Sequence, residues 1–307
     1  MKFQLRDLTT ETRNLRTEEL DKFSTMEIIQ IMNEEDKKVA FAVEKELPAI
    51  SAAVDLIGEC LENGGRLFYF GAGTSGRLGL LDAAECPPTF GTDPSLVQGV
   101  IAGGEKALVR AVEGAEDVEQ YGREDVIAYG VKAGDAVVGI AASGRTPYVI
   151  GALAEARSQQ AKIISLSCNQ QAQINQGVDV AINVVVGPEV VTGSTRLKAA
   201  TAQKMVLNMI TTACMVRLGK VYKNLMVNVQ VTNEKLKERA KRIVAEATNV
   251  SIEEADVLLQ LAAGDAKLAI VMQKTALPAG EASVLLTQYK GNIRRILEGK
   301  NNKESSA

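Results

Sequence analysis

The sequence predicts an α/β protein: a parallel five-stranded sheet between helices, followed by a small helical C-terminal domain. Three observations carry that prediction. Five short, largely apolar runs stand at 67–70, 96–102, 136–142, 163–167 and 178–186, the first of them continuous, as in a strand buried on both faces. The segments between them are long enough for crossover helices, which makes the sheet parallel with helices on both sides. After Val231 the apolar runs stop and short charged helices with short links take over. The domains are therefore expected at 1–231 and 232–307.

Taken in order, residues 1–22 are polar and mixed. They are expected either to wrap a neighbour or to lie partly disordered. Ser24-Thr-Met-Glu27 is a capping box that opens a helix. A second helix is expected from about Pro48 to Glu62, with Ile50, Ala53, Val54, Ile57 and Leu61 on one face and Gly64-Gly65 as its stop. Further helices are expected at 76–84, 105–130, 147–160 and, less regularly, 169–176. Two prolines, Pro87 and Pro88, are expected to end the first of these. Thr195 to Leu218 reads as one long helix, apolar nearly all round and therefore buried, within one subunit or between two. Glu234–Thr248 is charged and amphipathic. Ser251-Ile-Glu-Glu254 is a second capping box, and Asp265–Leu277 and Glu281–Leu297 supply two more helices. The tail from Gly299 is polar and expected to be disordered.

Composition narrows the function. The 307 residues are 46% hydrophobic and 24% charged, enough for a full core. Net charge is -3 with no basic block, which argues against a nucleic-acid partner. No apolar run reaches membrane-spanning length and no secretory h-region opens the chain, so a cytoplasmic protein with no membrane association is expected. Cys60, Cys86, Cys168 and Cys214 lie far apart and histidine is absent, so a structural zinc site is not expected. Any general acid or base must be Glu, Asp, Lys, Tyr, Cys or water.

The stretch Tyr69–Gly91, YFGAGTSGRLGLLDAAECPPTFG, passes from a strand through a glycine-rich turn into a helix. That is the arrangement that holds phosphates. Gly71-Ala-Gly73-Thr-Ser-Gly76 matches the dinucleotide pattern literally, but no acidic residue closes the next strand where a ribose would need it. Thr74 and Ser75 hydroxyls suit a phosphate monoester better. The plain alternative is a glycine turn that only lets helix and strand approach. A second loop, Ser143-Gly144-Arg145-Thr146 before Pro147, repeats the chemistry after the third strand; its plain alternative is an ordinary N-cap. Two such loops at the carboxyl ends of parallel strands favour a phosphorylated ligand. Gly193-Ser-Thr195, near Glu189, is a third candidate, balanced against plain capping. Glu85 precedes the two prolines. Glu113 and Glu116 would share a helical face, where a solvated surface is the plainer reading.

GAGTSGRLGLLDAAECPPTFG, IAGG at 101–104, AVEGAED at 111–117 and SGRTPY at 143–148 together closely resemble the N-acetylmuramic acid 6-phosphate etherases, within the sugar isomerase (SIS) domain group. The resemblance runs over most of the chain. It implies an SIS-type αβα sandwich working as a homodimer, without metal or nucleotide cofactor. It implies cleavage of the D-lactyl ether of N-acetylmuramate 6-phosphate, in the recycling of cell-wall amino sugar. The family's two catalytic glutamates match Glu85 and Glu116. By the same resemblance Gly73, Thr74, Ser75, Ser143, Gly144, Arg145 and Thr146 hold the sugar phosphate, and Glu189 matches a position that faces the sugar. The main rival is a non-catalytic sugar-phosphate sensor, since the vertebrate glucokinase regulatory protein is similar to these etherases. An aldose–ketose isomerase and a nicotinamide-dependent dehydrogenase are further rivals.

Overall fold

The Leu67-Phe-Tyr-Phe run forms β1 (Leu67–Gly71), every residue of which is buried. It is paired in parallel on both sides, Leu67 opposite Val97 of β2 (Val97–Ile101) and opposite Ala136 of β3 (Ala136–Ile140). β4 (Lys162–Ser167) and β5 (Val180–Asn183) complete a five-stranded sheet of order β2-β1-β3-β4-β5. The computed structural model describes residues 8–110, 112–229 and 234–304.

Alternate residues of β1 serve opposite layers, as the pleat requires. Phe68 and Phe70 join Val137, Tyr148, Val149, Ala152 and Leu153 in one core beneath α5 (Glu119–Ala128) and α6 (Pro147–Ser158). On the other face α2 (Leu47–Glu62) crosses β3, β4 and β5, and α3 (Gly73–Phe90) lies against Tyr69 and Ile140. The buried Asp82 of α3 joins the layers there. It accepts from Tyr69 Oη at 2.9 Å and from Thr211 Oγ1 of α7 (Lys198–Arg217) at 3.1 Å, and burial holds its carboxyl above the ordinary range.

By backbone proximity the chain forms two units. The first holds the sheet and runs to Ala84 and from Ser95 to Thr211; the second takes Glu85–Pro94 and everything from Thr212. The second has its own core, where Tyr222, Val227 and Val229 meet α8 (Glu234–Thr248), α9 (Ile252–Leu261), α10 (Ala266–Thr275), α11 (Ala279–Gln288) and α12 (Ile293–Glu304). Both predicted capping boxes are present, Ser24 with Glu27 at the start of α1 (Thr25–Lys45) and Ser251 with Glu254.

Several expectations are corrected. The N-terminal segment from Leu8 is ordered on its own chain: Leu8, Thr10, Asn14 and Thr17 are buried, and Thr17 Oγ1 donates to Val190 O at 2.9 Å. Residues 1–7 lie outside the described part. α3 continues through Pro87 and Pro88 to Phe90. The two missing donors leave Ala83 and Ala84 carbonyls without helical partners. The turn is retained because Gly91 N donates to Pro87 O and Asn228 Nδ2 donates to Phe90 O, both at 2.9 Å. The 105–130 region is not one helix. It holds α4 (Lys106–Val109), a 3₁₀ turn at Ala115–Asp117 and α5. Gly114, at φ +74°, breaks any helix across it, so Glu113 and Glu116 do not share a helical face. Of 169–176 only Gln173–Asn175 coils. α7 buries its other faces within the chain and leaves the line Thr201, Lys204, Asn208, Thr212 and Val216 exposed, the face that burial between two subunits would have to cover. Lys290 and Gly291, both at positive φ, split the 281–297 segment into α11 and α12. The backbone of α12 then continues to Glu304 where a disordered tail was expected; 305–307 lie outside the described part. Among the described residues no helix is long and apolar enough to cross a membrane.

Candidate active site

The strand order fixes where a ligand can approach. In a 2-1-3-4-5 sheet the connections leave β1 and β3 in opposite directions, which opens a crevice at their carboxyl ends. Gly71 ends β1 directly opposite Ile140, which ends β3. The residues that follow are the two predicted loops, so the fold sets both beside the crevice.

The loop after β1 enters α3 at once. Gly73 has φ +53° with open space where a Cβ would stand. Gly76 instead permits contact, because a Cβ there would lie 2.6 Å from Ile101 Cγ1 and 2.7 Å from Gly71 O. Gly76 thus serves the approach of helix and strand, while Gly73 leaves its surroundings open. The first amides of α3 have no partner within the helix and carry its positive end. Thr74 is half-buried and Ser75 buried, its Oγ donating to Gln203 Oε1 of α7 at 2.9 Å.

A cavity of about 200 Å³ opens from this loop. Ala72, Gly73 and Arg77 line it together with Glu113, Gly114, Ala115 and Glu116. Arg77 fixes the rim by donating from Nη2 to Ala107 O at 2.7 Å and from Nε to Leu108 O at 3.0 Å. Gly73 and Glu116 are thus brought to one cavity. Thr74, Ser75 and the 143–146 loop do not line it. Sequence reasoning missed Arg77 and Gln203; a cation directly after the glycine loop was the available signal for the first, and the second had none.

In the second loop Ser143 Oγ accepts from Arg145 N at 3.3 Å, and Gly144 O accepts from Ile174 N at 3.0 Å. Thr146 precedes α6 without a side-chain capping bond, so plain capping does not explain its hydroxyl. Arg145 Nη1 is buried without a hydrogen-bond partner. Glu85 is exposed on α3 and falls in the second unit.

Glu189 is 0% exposed, and its two oxygens accept from Lys198 N at 3.0 Å and Ala199 N at 2.9 Å. Burial raises its pKa against the pull of those amides. It caps α7 from inside, with both oxygens engaged by those amides. The 193–195 segment beside it leads to the same capped terminus. Next to it Lys198 Nζ donates to Glu35 Oε2 at 2.8 Å, and Glu35 Oε1 accepts from Arg16 Nη1 at 2.8 Å and Lys38 Nζ at 2.5 Å. Burial works against the Glu35 charge, but these donors outweigh it and hold its pKa at about 2.

The chain is similar to known proteins in both sequence and fold. The model of the SIS domain matches residues 118–213, and that of the glucokinase regulatory protein N-terminal SIS domain matches residues 49–157. The chain is 54% identical over 299 residues to the N-acetylmuramic acid 6-phosphate etherase of Clostridium beijerinckii, covering 97% of this chain and 98% of that one. It is 56% identical to the etherase of Geobacillus thermodenitrificans, covering 96% of this chain and 100% of that one. Among solved structures, a phosphoheptose isomerase from Francisella tularensis superposes with a TM-score of 0.50 at 20% identity, covering 64% of this chain and 98% of that one. That likeness concerns the fold alone.

Proposed function

The chain belongs to the N-acetylmuramic acid 6-phosphate etherases, and from that premise we propose how its residues divide the work. It is an enzyme that cleaves the D-lactyl ether of N-acetylmuramate 6-phosphate to N-acetylglucosamine 6-phosphate and D-lactate, in amino-sugar recycling. The observation that carries this is identity above half over nearly the whole of both chains.

The ether at C3 is inert until C2 becomes acidic. In the open-chain sugar C2 stands beside the aldehyde, so a carboxylate can take its proton. Lactate then leaves C3 with a proton from an acid, which makes a C2–C3 double bond. Water adds at C3 and a proton returns to C2, so the atoms balance without metal or nucleotide. Glu85 is assigned as the acid/base at the C2–C3 bond and Glu116 as the group that helps water. Support for Glu116 is its place on the cavity beside the glycine loop. Thr74, Ser75, Ser143, Gly144, Arg145 and Thr146 are assigned to the sugar phosphate. Their support is two loops at one switch point, an unpaired helix N-terminus and the partnerless Arg145 Nη1.

Residues 1–231 are assigned to sugar-phosphate binding and catalysis, and 232–307 to a helical domain. The working form is a cytoplasmic homodimer, which light scattering would register as about twice the 32.8 kDa chain mass.

The test is D-lactate release from N-acetylmuramate 6-phosphate by the purified protein, against Glu85→Gln. Release by the unaltered protein alone supports both the reaction and the role of Glu85. Sugar-phosphate binding without lactate release by either would favour the sensor reading.

A further inference from the structure

Among the described residues, three buried side-chain atoms lack a hydrogen-bond partner: Thr92 Oγ1, Arg145 Nη1 and Gln203 Nε2. Arg145 belongs to the loop after β3, and Gln203 is bonded to the loop after β1. A buried amide nitrogen with nothing to donate to calls for an explanation. Gln203 is 1% exposed, on α7, and its Oε1 accepts the Ser75 hydroxyl proton at 2.9 Å.

A hydroxyl has one proton to give. Here Ser75 gives it to Gln203. A phosphate oxygen arriving at the first amides of α3 can only accept, so Ser75 must turn its proton to that oxygen. Its own oxygen is then free to accept, while Gln203 Oε1 faces another acceptor. Half a turn about the last Gln203 torsion, which is broad and low in barrier, reverses the amide and brings the idle Nε2 to Ser75 Oγ.

The geometry points to Gln203 as a positioning residue for the sugar phosphate: its amide holds the Ser75 proton when the site is empty and donates to Ser75 Oγ when the phosphate takes that proton. Nε2 is buried, so Gln203 acts through Ser75 and not on the phosphate. No covalent step is involved. The proposal rests on the etherase reading for the choice of sugar phosphate.

The experiment is a double-mutant cycle read as affinity of the full-length protein for N-acetylglucosamine 6-phosphate by calorimetry, with unphosphorylated N-acetylglucosamine as control. Gln203→Glu keeps the acceptor and removes the donor, so affinity is expected to fall about 30-fold. Gln203→Met removes both and is expected to lose about 5-fold. In a Ser75→Ala background each is expected to cost less than about twofold, because the partner through which Gln203 acts is gone. In turnover the loss should appear in KM more than in kcat. Wild-type affinity in both variants, or an equal loss with and without the Ser75 hydroxyl, overturns the proposal. If Gln203→Glu shows no cooperative melt, Gln203→Met alone completes the cycle. A coupled cycle with no lactate release by the unaltered protein would leave Gln203 in its role and remove the etherase reading. No binding by the unaltered protein overturns both.

Discussion

Glu116 lines the same cavity as Gly73 and Arg77, beside the glycine loop. Glu116→Gln is therefore expected to lower kcat for lactate release by about 10²- to 10⁴-fold, the usual loss of a general acid–base group, and calorimetry should find sugar-phosphate binding retained. Glu35 is the contrasting carboxylate, buried and fully engaged. Its pKa drops from 4.5 to about 2 on folding, so its stabilisation is whole above about pH 4.5 and is lost as pH falls through about 2. Between pH 7 and pH 3 the unaltered protein is expected to lose about 2 kcal/mol more stability in urea than Glu35→Gln does. Lys198→Met, which leaves that charge buried with one donor fewer, should cost about 3–5 kcal/mol at pH 7. Such pairings were illegible in the sequence. Glu35 and Lys198 are 163 positions apart, and Ser75 and Gln203 are 128. Glu189 shows the same limit from the other side, since nothing near it reveals that both its oxygens are taken by amides.

At the scale of elements, local chemistry was a good guide where it was local. The capping boxes at Ser24 and Ser251 form as written, and Ser251→Ala should cost about 1 kcal/mol in thermal or urea unfolding. The five apolar runs became the five strands: burial on both faces leaves that mark in the composition of β1, β3 and β4, while the edge strands β2 and β5 are only partly buried. Prolines misled, since a helix end can be held by a partner such as Asn228, far along the chain. The 105–130 region misled because one left-handed glycine outweighs the helical pattern around it. The loops at 71–76 and 143–146 were legible as motifs, but their meeting at one sheet edge follows from strand order, which no motif encodes. Gly76→Ala would push α3 off Ile101. A loss of about 1–3 kcal/mol is expected, with weaker sugar-phosphate binding as the first amides of α3 shift.

For the molecule as a whole, all four cysteines are buried thiols outside any disulfide, and burial raises the Cys168 thiol to about 12. An aromatic disulfide reagent is thus expected to find almost no fast thiol in the native protein and four per chain after guanidinium unfolding. The sheet order has a consequence for synthesis. β1 lies inside the sheet, yet both strands that flank it are encoded after it, and β3 begins about 65 residues beyond its end. At about 5–20 residues per second, the ribosome leaves Leu67-Phe-Tyr-Phe70 without its full set of neighbours for roughly 3–13 s. During that interval the nascent chain carries a sticky aromatic strand, so the yield of soluble protein should depend on translation speed across residues 72–140 and on chaperones acting on that stretch.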